Sequence, residues 1–224
     1  MKYAILFLIF GIYLIQVSFV FAIAGCLLFW FGVSFIAVGL AYGWLGAKVF
    51  GKLPNGKIAR SALVLLLPYL LLTWLIWHIQ RLVSQEECCN EIIPGIWLGR
   101  RAFARELPPN ISLIVDLTAE FAEVESAIAH KTYICVPTLD ASVPDELVFR
   151  SLIKRLVTWQ GNVYIHCALG HGRSATVVAA VAIAKKLADN PLQAEAQIKK
   201  IRPGVEFSKV QRQLLDRFSR SIMD

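Results

Sequence analysis

The segment from His166 to Ser174 (HCALGHGRS) brings a cysteine, an arginine and two glycines together within nine residues. A predicted strand precedes this segment and a predicted helix follows it. Backbone N–H groups of a short loop at a helix N-terminus form a binding site for anions. Arg173 adds a planar guanidinium that can bind two phosphate oxygens at once. The segment is therefore predicted to be a phosphate-binding loop.

Cys167 is the nucleophile that such a loop would offer. Cysteines near a cationic side chain and a helix N-terminus are readily deprotonated, and a thiolate below a bound phosphate is placed for in-line attack on phosphorus. Gly170 and Gly172 allow the backbone conformations and the close approach that the loop requires. These residues predict covalent catalysis on a phosphate ester.

The loop resembles that of the cysteine-dependent protein tyrosine and dual-specificity phosphatases, in which five residues separate the cysteine from Arg-Ser. The flanking segments VYIHC and RSATVVAA, and IPGIWLG near the domain start, are similar to that family too. The resemblance covers residues 86–220, and the apolar segments before them make the chain similar to bacterial membrane-bound dual-specificity phosphatases. It implies a tyrosine-phosphatase-like α/β fold, with a mostly parallel central sheet flanked by helices, and neither metal nor cofactor.

The resemblance implies a role for each residue of the loop. Cys167 would be the nucleophile, Arg173 would bind the phosphate and the transition state, and His166 would orient the loop. Ser174 would stabilise the thiolate when the phosphoenzyme is hydrolysed. The remaining phosphate oxygens would be bound by the backbone amides of Ala168, Leu169, Gly170, His171, Gly172 and Arg173.

Phosphatases of this family also use an aspartate that protonates the leaving oxygen. Asp140, in VPTLDASVPD, follows a predicted strand and precedes a predicted helix, which is where the family places its acid. Asp145 is the alternative, although its position suits the first turn of the next helix. We therefore predict Asp140 as the general acid and Asp116 as a structural hydrogen-bonding residue.

Five other positions could contribute to the site or to the fold. His171 contacts either substrate or solvent, and Arg202 either supports the phosphate loop or ends a surface helix. Cys88, Cys89 and Cys135 have no catalytic context, and we expect buried or lipid-proximal thiols there.

The composition divides the chain into two parts. Hydrophobic residues make up 57% of its 224 residues, and all 16 acidic residues lie beyond residue 80. Because about 20 apolar residues span a bilayer, we predict a membrane domain at 1–82 and a catalytic domain at 83–224. The predicted transmembrane helices are 3–23, 26–47 and 61–80, with a turn near Ala24–Cys26. Trp74 and Trp77 indicate an interfacial aromatic belt.

Two features of the sequence give conflicting predictions for the side of the membrane on which the catalytic domain lies. The basic loop Lys48–Arg60 is expected to face the cytoplasm. If a third helix then crosses the membrane, the catalytic domain that follows it would lie on the non-cytoplasmic side. A working thiolate favours a reducing compartment. The resemblance implies an integral protein of the bacterial inner membrane, and on the chemical ground we predict a cytoplasmic catalytic domain. The net charge of +7 comes mainly from the membrane flanks, so we expect the bilayer and no nucleic acid as a partner; the oligomeric state is left open.

A catalytic domain held at the bilayer favours a phosphorylated lipid as its substrate, because tethering raises the effective concentration. Mitochondrial phosphatidylglycerophosphate phosphatases belong to the same broad family, which makes a phospholipid monoester the first hypothesis. Relatives that act on polyphosphoinositides carry lysines where this chain has Ala168 and His171. A dual-specificity phosphatase acting on phosphotyrosine, phosphoserine or phosphothreonine proteins is the alternative. A non-catalytic phosphate-binding membrane protein is the third hypothesis.

Overall fold

A computed structural model describes residues 2–223, which form two compact units. One unit runs through Ser84 and includes the short segment Ala119–Ala122. The other comprises Gln85–Thr118 and continues from Glu123. Each unit has its own secondary structure, helical in the first and mixed in the second.

Apolar helices make up the first unit. They are α1 (Lys2–Ser18), α2 (Ala22–Leu40) with its π-helical and 3-10 extension to Phe50, and α3 (Arg60–Val83). Two segments, Ala22–Phe50 and Arg60–Val83, are long and apolar enough to cross a membrane, whereas α1 has only 17 residues. The turn between the first two helices lies at residues 19–21 and not near Ala24–Cys26.

Close packing shapes this helical unit. A Cβ atom added to Gly11 would lie 2.7 Å from the carbonyl oxygen of Gly32, so small residues let α1 and α2 approach each other. The Trp74 indole donates to the carbonyl of Glu120 at 2.9 Å, and the Trp77 ring is buried 5.4 Å from the Phe121 ring. Both tryptophans make packing contacts within this unit, Trp77 buried and Trp74 half-buried, and the interfacial belt stays a prediction.

A five-stranded sheet in the order β1-β2-β5-β3-β4 supports the second unit. The strands are β1 (Cys89–Ile93), β2 (Ile96–Arg100), β3 (Ile111–Thr118), β4 (Thr132–Thr138) and β5 (Asn162–Cys167). Only the β1–β2 hairpin is antiparallel among the described pairs, so the predicted mostly parallel sheet is confirmed. β4 continues through Pro137, because it is an edge strand and does not need every N–H.

Helices flank this sheet. They are α4 (Glu125–Ile128), α5 (Glu146–Thr158), α6 (Arg173–Ala184), α7 (Pro191–Ile201) and α8 (Lys209–Met223). The Ala- and Val-rich α6 is buried from its first residue to Ile183. Since β5 lies in the middle of the sheet and leads into α6, the segment between them is held by the best-packed part of this unit.

Candidate active site

The predicted phosphate loop runs from the end of β5 to the first turn of α6. The carbonyls of residues 168–172 all accept hydrogen bonds from outside the loop, at 2.9 to 3.3 Å. The donors are, in order, the Arg101 amide, Arg202 Nη2, Arg202 Nε, the Glu206 amide and the Thr176 amide. In a trans peptide the C=O of one residue and the N–H of the next lie in one plane and point in opposite directions. The amides of residues 169–173 therefore face into the loop, as an anion site requires.

Arg202 is the main support of this loop. Its buried guanidinium holds the carbonyls of Leu169 and Gly170, and its Nη1 atom also donates to the carbonyl of Glu87 and to Asn90 Oδ1, at 3.0 and 2.9 Å. Of the two roles that the sequence left open, the structure shows loop support.

Gly170 is the loop position that requires glycine. Its φ of +79° lies in the left-handed region, and an added Cβ atom would lie 2.6 Å from the carbonyl oxygen of Gly99 on β2. Both the conformation and the close approach exclude a side chain there.

Cys167 is buried at the start of the loop. Its sulfur accepts hydrogen bonds from the Gly170 amide at 3.3 Å and from the Ser174 hydroxyl at 3.2 Å. Two donors directed at one sulfur suit a thiolate, which only accepts hydrogen bonds. The structure thus brings together the predicted nucleophile and the serine predicted to stabilise it.

Arg173 ends the loop, with its guanidinium buried between the ends of two strands. Nη1 donates to the carbonyls of Thr138 at 2.9 Å and Leu117 at 3.5 Å, which fixes the plane of the group. Nη2 lies 3.4 Å from Asp140 Oδ1. The predicted phosphate-binding cation and the predicted general acid are therefore neighbours.

Asp140 lies on an exposed loop between β4 and α5, and 75% of its side chain is exposed. The start of α8 holds this loop through two side chains. The Ser208 hydroxyl donates to the Ala141 carbonyl at 3.0 Å, and Gln211 Nε2 donates to the Ser142 carbonyl at 3.1 Å. Sequence reasoning missed both, since about 70 residues separate each from its partner and neither belongs to a motif.

The alternative acid, Asp145, has a different role. Its Oδ1 atom accepts from the amides of Leu147 and Val148, at 2.9 and 3.3 Å, and caps the N-terminus of α5. An oxygen used in this way stabilises the helix. Of the two candidate carboxylates, Asp140 is the one that lies beside Arg173.

His166 is buried behind the loop. Its Nδ1 atom lies 3.4 Å from the Cys167 carbonyl oxygen, and its Nε2 atom lies 3.5 Å from Glu123 Oε2 and 4.0 Å from Asp116 Oδ1. The ring also stacks on Tyr164. These contacts suit a residue that orients the loop, the role that the resemblance implies for His166.

Asp116, Glu123 and His166 together offer three groups of the kind that bind metal ions. Their spacing in the sequence did not reveal this cluster. The Asp116 oxygens already accept hydrogen bonds from Thr118 and from the Tyr133 hydroxyl. The pKa of Tyr133 is raised mainly by its burial and also by the charge of Asp116. The guanidinium of a nearby arginine, Arg101, lies 3.9 Å from Glu123. A set of donors and a cation around these carboxylates suits a buried ion-pair network better than a cation site.

No disulfide joins the five cysteines among the described residues. Cys88 lies 3.9 Å from the Tyr164 hydroxyl. A hydrogen bond with Cys89 lowers the pKa of Cys88 to about 7, with a further contribution from the charge of Arg100. The sequence context of Cys88 does not indicate this lowered pKa.

Comparison with known proteins gives structural matches alone. No family model and no curated protein sequence matches the chain. PTPMT1 in complex with PI(5)P matches with a TM-score of 0.55 and 24% identity, over 61% of this chain and 97% of that one. Tk-PTP in its active form has a TM-score of 0.53 and 20% identity, over 59% and 97%. A human tyrosine phosphatase-like serine/threonine/tyrosine-interacting protein has a TM-score of 0.54 and 18% identity, over 62% and 100%.

These identities establish a common fold and leave the activity to be argued from the site. Over about three fifths of its length, the chain has the fold of the cysteine-dependent protein tyrosine and dual-specificity phosphatases, as the sequence predicts.

Proposed function

We propose that the chain is a membrane-anchored phosphatase that hydrolyses phosphate monoesters through a cysteinyl-phosphate intermediate. One observation carries the proposal: the Cys167 sulfur lies in a loop whose amides face inward and whose last residue is the buried Arg173. Preorganised donors of this kind stabilise the charge on a transferring phosphoryl group.

In the first step, the Cys167 thiolate attacks phosphorus. The S–P bond forms as the bond to the ester oxygen breaks, while the loop amides and the Arg173 guanidinium bind the three remaining oxygens. Asp140 transfers its proton to the leaving oxygen, which departs as a neutral alcohol. The short distance between Asp140 and Arg173 supports this assignment, because a phosphate bound by Arg173 would lie near the acid.

In the second step, water hydrolyses the intermediate. Asp140, now a carboxylate, takes a proton from the water whose oxygen attacks phosphorus, and the S–P bond breaks to release inorganic phosphate. The thiolate that leaves is stabilised by the Ser174 hydroxyl, which already lies 3.2 Å from the sulfur. The proton balance returns the site to its starting state.

We infer that the substrate is a phospholipid monoester such as phosphatidylglycerophosphate. Two segments of the first unit are long and apolar enough to cross a membrane, which would hold the catalytic unit close to lipid headgroups. A lipid complex of a protein with the same fold, PTPMT1 with PI(5)P, supports this inference. We also propose that the catalytic unit lies in the cytoplasm, and labelling of Cys88 by an impermeant reagent from outside intact cells would contradict that orientation.

A phosphoprotein substrate is the alternative, since other proteins of this fold include Tk-PTP and a mouse putative dual-specificity phosphatase. Another is a phosphatase-like interacting protein, so the fold alone does not determine catalysis. The proposed mechanism needs a cysteine, an arginine and a neighbouring acid, and the contacts of Cys167, Arg173 and Asp140 support an enzyme over a non-catalytic binding protein.

The decisive experiment is phosphate release by the full chain in mixed micelles. Phosphatidylglycerophosphate and other lipid monoesters are compared with phosphotyrosine and phosphoserine peptides, and Cys167→Ser is the blank. We expect a preference for a lipid that is lost in the variant. A preference for peptides would make the chain a protein phosphatase, and equal rates with the wild type and Cys167→Ser would exclude this mechanism.

A further inference from the structure

The phosphate loop contains one ionisable side chain that the mechanism does not use. His171 Nε2 lies 2.6 Å from Glu86 Oε2. The same carboxylate accepts from the Gly204 amide at 3.0 Å through Oε1, and its Oε2 atom lies 3.3 Å from Arg202 Nη2. Glu86 precedes β1 and belongs to no motif of the sequence.

Glu86 also contacts Arg202, the residue that supports the loop. Arg202 binds the carbonyls of Leu169 and Gly170 and is itself held by Glu87 and Asn90. Glu86 adds a negative charge to this arrangement. Partial burial raises the pKa of Glu86, but the hydrogen bond from His171 and the charge of Arg202 outweigh it and lower this pKa, so the carboxylate is charged at neutral pH.

The pair is confined but not sealed from solvent. A Cβ atom added to Gly204 would lie 2.5 Å from Glu86 Oε1 and 2.7 Å from His171 Nε2, so the turn after α7 packs directly on both groups. Nevertheless, 32% of the His171 side chain and 27% of the Glu86 side chain are exposed to solvent. A group on a bound substrate can therefore experience the charge of Glu86 next to the loop.

We propose that Glu86 is a specificity-determining residue that engages His171 and places a fixed negative charge beside the phosphate loop. The site would then accept monoesters with a single phosphate and discriminate against those with a second phosphate on the neighbouring carbon. The proposal rests on the proposed function, and it concerns which monoester that same site accepts. Its physical basis is like-charge repulsion near a surface of reduced dielectric, which is screened by salt.

The test compares two lipids that differ only in the neighbouring phosphate. Rates on PI(5)P and on its 4,5-bisphosphate are measured in the same micelles for the wild type, Glu86→Gln and Glu87→Gln, with p-nitrophenyl phosphate as a common reference. Glu87 is the matched control, because it carries the same charge on the next residue and its side chain contacts Asn90. In the wild type we expect a higher kcat/KM on PI(5)P than on the 4,5-bisphosphate. Glu86→Gln should reduce the ratio of these two kcat/KM values about tenfold, and Glu87→Gln should leave it unchanged.

A measurement on the wild type makes the test independent of how well the variant folds. Raising the salt from about 0.05 to 0.5 M should narrow the same ratio, because screening weakens repulsion between exposed charges. If the chain turns over p-nitrophenyl phosphate and peptides but no lipid, peptides with one phosphate or two adjacent phosphates replace the lipid pair.

The outcomes separate the two proposals. A ratio insensitive to salt, or equally affected by both glutamine variants, overturns the role of Glu86 and leaves the phosphatase intact. If Glu86→Gln lowers kcat/KM equally on all substrates and retains the ratio, Glu86 has a purely structural role, and the proposed specificity role is overturned. Absence of turnover of every phosphate ester by the wild type contradicts the proposed function itself.

Discussion

The phosphate loop and the loop that carries Asp140 are held to very different degrees. In the phosphate loop the carbonyls of residues 168–172 are all bonded, and Cys167, Arg173 and Ser174 are buried. The acid loop exposes most of the Asp140 side chain and is attached to α8 by two side-chain hydrogen bonds.

This difference follows the chemistry that each loop would perform. Donors that stabilise a transferring phosphoryl group act best when they are in place before the substrate arrives, because no reorganisation is then needed. A general acid must reach a leaving oxygen that belongs to a variable alcohol, and a lightly held loop can adjust to it. Substitutions in the first loop should therefore damage the fold and all activity, whereas those in the second should affect proton transfer alone.

Gly170→Ala should have the largest effect. A left-handed conformation costs a non-glycine residue about 1–2 kcal/mol, and the added methyl would also collide with the Gly99 carbonyl. We expect a loss of more than about 2 kcal/mol in the free energy of unfolding and no measurable turnover. Thermal and denaturant unfolding, with p-nitrophenyl phosphate hydrolysis, measure both effects.

Gly95→Ala is the matched control for this substitution. Gly95 has the same φ of +79°, but an added Cβ atom would meet its nearest neighbour, Asn162 Oδ1, at 3.4 Å. We expect a backbone cost of about 1–2 kcal/mol and an unchanged kcat. Equal behaviour of the two variants would show that the phosphate loop tolerates displacement and is less rigid than its hydrogen bonds indicate.

Asp140→Asn should have the next largest effect on activity, and this effect should be confined to substrates whose leaving group needs a proton. A positioned acid contributes about 10²- to 10⁴-fold when the leaving group needs a proton, so we expect kcat to fall by about that factor for alkyl phosphates and little for p-nitrophenyl phosphate. Asp145→Asn is the control, because asparagine also caps helices and the residue caps α5. A similar loss on both substrates, or a loss in the Asp145 variant, would remove Asp140 from the proposed mechanism.

Gln211→Ala should have a smaller effect in the same direction. The variant removes the hydrogen bond to the Ser142 carbonyl, and we expect kcat for alkyl phosphates to fall about tenfold, which corresponds to about 1.4 kcal/mol. Turnover of p-nitrophenyl phosphate should be retained, which distinguishes positioning of the acid from general damage. Gln197→Ala, which removes a similar bond to the Leu187 carbonyl, is the control and should leave both activities unchanged.

The predictable features of the fold are those that local patterns determine. α7 begins at Pro191 after the capping residue Asn190 and ends before Arg-Pro-Gly, which are local start and stop signals of a helix. The Cys167 loop lies between a strand and a helix for the same reason, since β-branched residues precede it and an Ala- and Val-rich helix follows.

Features that depend on distant partners were not predictable. Glu86 meets His171, and Gln211 meets Ser142, across long stretches of chain that carry no common period. The burial of Trp77 against Phe121 is of the same kind, because an apolar aromatic residue near a helix end suits a membrane interface and a packed contact equally well. Only the tertiary arrangement distinguishes these roles.

Ala141→Gly is the most sensitive test of the difference between the two loops, because its expected effect is the smallest. Ala141 has a φ of 54°, which glycine adopts without the steric penalty of a Cβ atom. Relief of that penalty is partly offset by the greater freedom of glycine in the unfolded chain, so we expect a stabilisation of about 0.5 kcal/mol. Chemical denaturation measures it, and p-nitrophenyl phosphate turnover should not change.

Lys186→Gly is the matched control, since Lys186 has a φ of 56° in the turn after α6 and no part in the proposed chemistry. If the acid loop is lightly held, the two variants should gain similar stability, and Ala141→Gly should lower alkyl phosphate turnover less than Gln211→Ala does. Ala141→Gly could instead lower alkyl phosphate turnover as much as Asp140→Asn does. The backbone conformation at Ala141 would then fix the acid as firmly as hydrogen bonds fix the phosphate loop. In that case the two loops would be equally preorganised, and the exposure of Asp140 would not reflect freedom of movement.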